Sequence, residues 1–185
     1  MTTPRADPAA RSALLDAGLY LAQRMPLSQV NGALIAQAAG LAPQDFDTHF
    51  GDLNHYLLDL QARFMEELRA RVVQATMQAA AGAERLCCAI ETYLDVCLEH
   101  VPLRAWLVER RYTNTEIAEA LRQRNRGYVH LITAEFAAMG WRHPPAAAQL
   151  LMAMNQETAL AEHQSRQKLP EYRAVLADFV RGPAL

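Results

Sequence analysis

The chain has 185 residues, 51% of them hydrophobic, and a formal charge of −2 at pH 7. That length holds a sizeable core, and a composition rich in Ala and Leu with only eight Gly favours an all-α fold over a sandwich or barrel. No apolar run approaches the ~20 residues that span a bilayer, and the opening MTTPRADPAAR has no apolar secretory segment, so no membrane association is expected and a cytoplasmic location is.

Residues 1–7 read as a loose arm carrying Arg5, with Arg11 just beyond it. A first helix is expected from about Pro8 to Met25, because Ala13, Leu14, Ala17, Tyr20 and Leu21 recur at three-four spacing, and Pro26 ends it. A short helix follows, with Ser28 as its cap and Val30, Leu34, Ile35 and Ala38 on its buried side. Gly40 supplies a left-handed turn, and Pro43 opens a second short helix to Phe50, with Phe46 and Phe50 on one face. Two short helices around a tight turn form a helix-turn-helix pattern, whose second helix is the one offered to a DNA major groove.

Asp52 or Asn54 caps a long helix from about His55 to Ala80, with Leu57, Leu60, Phe64, Leu68 and Val72 along one face. Gly82 breaks it. A fifth helix covers about Ala83 to His100, with Leu86, Ile90, Leu94 and Cys97 inward, and a short one covers Leu103 to Arg110 after Pro102. Thr113 and Glu116 fit a capping box opening a helix to about Met139, with Ile117, Leu121, Tyr128, Leu131, Ile132 and Phe136 on its core side. Pro145 and Pro170 begin the last two helices. The domain division expected is a helix-turn-helix head at 1–53 and a helical body at 54–185. Cys87, Cys88 and Cys97 on one helix read as reduced structural thiols.

The stretches RSALLDAGLYLAQ at 11–23, IAQAAGL at 35–41, Phe46, Thr48-His49-Phe50 and Leu57-Leu58 resemble the tetracycline-repressor (TetR) family of bacterial transcriptional regulators. The resemblance implies a head of three helices and a fourth helix that joins it to a larger ligand-binding body. It also implies a homodimer through the last two long helices, a double-stranded DNA operator and a small-molecule effector. On this basis the DNA-facing residues are Arg5, Arg11, Ser28, Gln44, Asp45, Asp47, Thr48 and His49. Phe64, Met65, Tyr93, Cys97, Trp106, Tyr112, Tyr128, Phe136 and Asn155 are candidates to line a cavity for an apolar or aromatic ligand.

Charge complicates the DNA-binding expectation. Residues 1–68 hold four arginines and no lysine against eight carboxylates, the wrong balance for approaching a polyanion. The second short helix has no lysine or arginine and carries Asp47 where the family usually has a phosphate-touching tyrosine; Leu53 replaces a usual lysine. Two readings follow: a repressor that binds its operator through few cationic contacts, or a degenerate TetR-like dimer acting through a protein partner or a ligand. Catalysis is not expected, nor any cofactor or metal. GxGxxG, phosphate-loop, GxSxG and HExxH patterns are all missing, and the Glu91/Asp95/Glu99 stripe reads as a solvated face without histidine partners.

Overall fold

The computed structural model describes residues 7–111 and 115–182; between 108 and 125 it describes side chains only at 119 and 123. Arg5, Tyr112 and the expected Thr113–Glu116 capping box lie outside the described residues. Every regular element among the described residues is helical: α1 (Pro8–Ala22), a 3-10 turn (Leu27–Gln29), α2 (Gly32–Ala38), α3 (Pro43–Phe50), α4 (Leu53–Thr76), α5 (Ala83–Glu99), α6 (Val101–Arg111), α7 (Thr115–Ala138), α8 (Pro144–Ser165) and α9 (Pro170–Arg181). No described helix is long and apolar enough to cross a membrane. The chain divides into two compact units, residues 1–66 with 102–114, and residues 67–101 with 115–185.

In the N-terminal unit, α1, α2 and α3 pack on one another and share a core with the first half of α4. Leu14, Ile35, Phe46, Phe50, Tyr56, Leu57 and Leu60 are all buried there. Tyr56 organises that core. Its ring meets Phe50 edge-on at 4.9 Å and Phe46 at 5.4 Å, and its hydroxyl donates to the Leu14 carbonyl at 2.8 Å. Such aromatic pairs contribute about 0.5–1.5 kcal/mol each beyond area burial. α6 returns to this unit and tucks in Trp106, whose indole N–H donates to the Met25 carbonyl at 3.0 Å. Two expected core positions differ. Tyr20 is half exposed, because α1 turns it outward under the Arg24 guanidinium, 3.5 Å above its ring. On α2, Ala36 is buried and Ala38 is exposed.

The C-terminal unit packs α5 against α7, α8 and α9, with α7 and α9 flanking α8. Phe136 is fully buried beside Trp141 and Phe179, with ring centroids 4.6 and 6.1 Å away. Leu131, expected inward, is exposed, since five residues along α7 carry it to the side opposite Phe136. An ion cluster closes α9 onto α8 and α5. Arg173, 6% exposed, makes a bidentate pair with Glu162, 1% exposed, at 2.7 and 2.8 Å. Its other nitrogen donates to Glu91 and Asp95. Burial works against the charged form of Glu162, but Arg173 and the Leu169 amide outweigh it and hold the carboxyl below its ordinary range. The Glu91/Asp95 stripe is therefore an ion-pair surface for α9 and Lys168 rather than a purely solvated face. On the other side, the Glu135 carboxylate accepts from the Gly82 amide and from Arg85, holding the start of α5 to α7.

Candidate nucleic-acid interface

The local sequence explains how α3 is presented. Asn31 caps α2, its side-chain oxygen accepting from the Leu34 amide at 2.9 Å. This corrects the expectation for Ser28, which sits exposed in the preceding 3-10 turn. Val30 is extended, so the helix cannot start before Asn31. At the other end, Leu41 N–H bonds to Ala36 O and Gly40 N–H to Gln37 O, a Schellman ending that needs the left-handed φ of 71° at Gly40. Pro43 then occupies the first position of α3. Phe46 and Phe50 anchor the helix from below, leaving Gln44, Asp47 and Thr48 exposed. Asn31, Ala33, Leu34, Gln37, Leu41 and Pro43 line an open, uncharged concavity beside it.

The candidate DNA-facing residues differ in what they have left to offer. Asp45 is half-buried and its Oδ2 accepts from the Ala42 amide at 2.9 Å, so it completes the helix start. Thr48 donates its hydroxyl proton to Gln44 O at 2.8 Å. His49 is half-buried, its carbonyl accepting from Arg11, while its Nδ1 has no hydrogen-bond partner among the described residues. Asp47 is exposed, and no ion pair or hydrogen bond of its side chain occurs among the described residues.

The cations are occupied. Arg11 pairs with Asp59 and lies over the Phe50 ring at 4.9 Å. Arg63 pairs with Asp16, and Arg24 covers Tyr20. Each described arginine of residues 1–66 thus already holds a partner inside its own unit. The unit's formal balance is nevertheless milder than residues 1–68 suggest. The stretch 102–114 adds Arg104, Arg110 and Arg111 against Glu109, for seven arginines and eight carboxylates. Asp52 accepts from the His55 amide and is held below its ordinary range by that bond, capping α4.

The candidate ligand residues fall in both units. Phe64, Met65 and Trp106 belong to the N-terminal unit; Tyr93, Cys97, Tyr128, Phe136 and Asn155 belong to the C-terminal one. Cys97 and Phe136 are buried, while Tyr93 and Tyr128 are half-buried. Asn155 is 9% exposed, and its Oδ1 has no hydrogen-bond partner among the described residues. A buried amide oxygen in that state is costly unless something meets it.

The fold is that of known transcriptional regulators. A transcriptional regulator from Rhodococcus sp. Rha1 superposes with a TM-score of 0.80 at 18% identity, covering 92% of this chain and 94% of its own. A Rhodococcus protein assigned to the TetR family superposes at 0.77 with 17% identity, covering 93% of this chain and 97% of its own. A TetR transcriptional regulator from Rhodococcus sp. RHA1 superposes at 0.67 with 16% identity, and the coverage is 94% of each chain. No protein-family model matches this chain, and no curated protein matches it by sequence. At these identities the likeness establishes the TetR fold, with its helix-turn-helix head and helical body.

Proposed function

We propose that this chain is a TetR-like transcriptional regulator, a dimeric one-component repressor whose operator binding is modulated by a small apolar or aromatic ligand. The observation that carries the reading is α3: eight residues riveted to the core by Phe46 and Phe50, with an unobstructed polar face, within a fold shared with transcriptional regulators. Exposed Leu150, Tyr172 and Val175 on α8 and α9 support a homodimer through those helices. The unmet Asn155 oxygen, amid buried Leu151, Thr158 and Ala159, supports an effector with a polar anchor.

A second reading has its own support. The arginines engaged within the head and the exposed Asp47 favour a degenerate dimer with weak or no DNA binding, acting through a protein partner or ligand. A salt series decides between them. The purified full chain is titrated against a pool of random-sequence duplexes and against sheared genomic DNA of its source organism. Enrichment of a discrete sequence, bound with nanomolar affinity near physiological salt, supports the repressor. Equal and weak binding to every duplex, vanishing as salt rises, refutes it and supports the second reading. Few cationic contacts also imply a shallow dependence: two phosphate contacts cost only about tenfold between about 50 and 200 mM salt.

A further inference from the structure

Resting on the operator-binding reading above, we infer that α3 reads amino-bearing base edges: adenine through Gln44 and cytosine through Asp47, with no lysine or arginine on this helix to favour guanine. The argument is an inventory of donors and acceptors. In the major groove guanine presents only acceptors, N7 and O6, so a reader of guanine must donate, which arginine and lysine do best. α3 holds neither. Adenine offers N7 as acceptor and N6 as donor, and cytosine offers its N4 amino group as donor. A primary amide, with one acceptor oxygen and two N–H donors, matches the adenine edge with two bonds. An ionised carboxylate only accepts, and so matches a cytosine amino group.

The structure decides which side chains on α3 keep this capacity. Asp45 is half-buried and commits its Oδ2 to the Ala42 amide, which holds it to the start of the helix, whereas Asp47 is exposed. Thr48 has given its proton to Gln44 O, so its hydroxyl also faces outward as an acceptor. Gln44 and Asp47 are both exposed, three residues apart, and side chains at that spacing are neighbours about 5–6 Å apart at Cβ. The exposed face is thus dominated by acceptors, the inverse of a guanine reader. Asp47 also repels phosphates for every sequence alike, so it lowers general affinity while adding discrimination.

Selection from a random duplex pool with the full chain tests this, using wild type, Gln44→Ala, Gln44→Arg and Asp47→Asn. All three substitutions lie at exposed positions on α3, and circular dichroism is the control for helicity in each variant. The wild-type consensus should contain an A·T pair whose preference Gln44→Ala relaxes by about 5- to 150-fold, the equivalent of a lost bidentate contact. Gln44→Arg should turn that pair to G·C. Asp47→Asn should weaken a cytosine preference at a neighbouring pair while tightening binding to every duplex. Replacing adenine by 7-deazaadenine at the Gln44-dependent pair should reproduce the loss, and 7-deazaguanine in the stretch read by α3 should change nothing. A consensus of guanines sensitive to 7-deazaguanine overturns the inference. So does sequence-specific binding that persists with every base preference unchanged in Gln44→Ala and Asp47→Asn. If wild type itself enriches no sequence, the operator-binding reading falls and the inference with it, an outcome distinct from a specific complex of the wrong chemistry.

Discussion

Replacing Gly18 by alanine tests how rigidly α1 and α4 hold the platform beneath α3. A Cβ at Gly18 would lie 2.0 Å from the Tyr56 hydroxyl oxygen, 3.0 Å from its Cζ and 3.3 Å from Leu60 Cδ2. Tyr56 has nowhere to retreat: it is fully buried, its ring meets Phe46 and Phe50, and its hydroxyl is bonded to Leu14 O. Overpacking of a tight site costs about 1–3 kcal/mol, and losing the hydroxyl's bond adds about 0.5–1.5 kcal/mol. Alanine's better helix propensity returns about 1 kcal/mol. The net expectation is a loss of about 0.5–3.5 kcal/mol by combining these terms. In a Tyr56→Phe background the atom at 2.0 Å is gone, so the same substitution should cost at least about 1 kcal/mol less, a coupling typical of residues in contact. The chain has two tryptophans, Trp106 in the N-terminal unit and Trp141 in the other. Urea titration of Trp106 fluorescence in a Trp141→Phe background therefore reports the right unit. A neutral or stabilising Gly18→Ala, or an equal loss with and without the tyrosine hydroxyl, would refute the packing argument.

Three further outcomes follow from charged groups. Arg173→Ala leaves Glu162 buried without its guanidinium and should cost the C-terminal unit about 3–5 kcal/mol, read from Trp141 fluorescence in urea. Replacing both residues by apolar ones of similar size should cost far less, because no buried charge is stranded. Glu162 has a folded pKa below its ordinary 4.5, so its contribution is present above that value and is lost as pH falls through the lower folded value. The stability difference between wild type and Glu162→Gln should accordingly be constant above about pH 5.5 and shrink in acid; a difference that grows on acidification would contradict the sign. Asp59→Asn releases Arg11 from its partner and should tighten DNA binding, steepening the salt slope by about 0.9 for each arginine that then reaches a phosphate. An unchanged slope would place Arg11 away from the backbone of the duplex.

Much of the head was legible in one dimension. Pro43, Phe46 and Phe50 delimit α3 as expected, and Gly40 takes the left-handed turn required of it. The start of α2 was misread because Ser28 and Asn31 are both competent caps. What separates them is that Val30 is extended, so the helix begins later. Tyr20 and Leu131 were misplaced for a related reason: a wide apolar stripe contains more positions than one packing partner covers, and α1 and α7 each leave an edge outside.

Sequence by itself determined the helical class, the order of the elements and the aromatic anchor of α3, because burial of one face imprints a period on each helix locally. It also determined that α3 carries no lysine or arginine. Tertiary structure alone decided which charges remain available. Arg11 meets Asp59 across 48 residues, and Arg173 meets Glu91 across 82. It also returns α6 to the N-terminal unit, where the Trp106 indole meets the Met25 carbonyl across 81 residues. Such pairings depend on how whole helices pack, which leaves no periodic signature in either partner's neighbourhood.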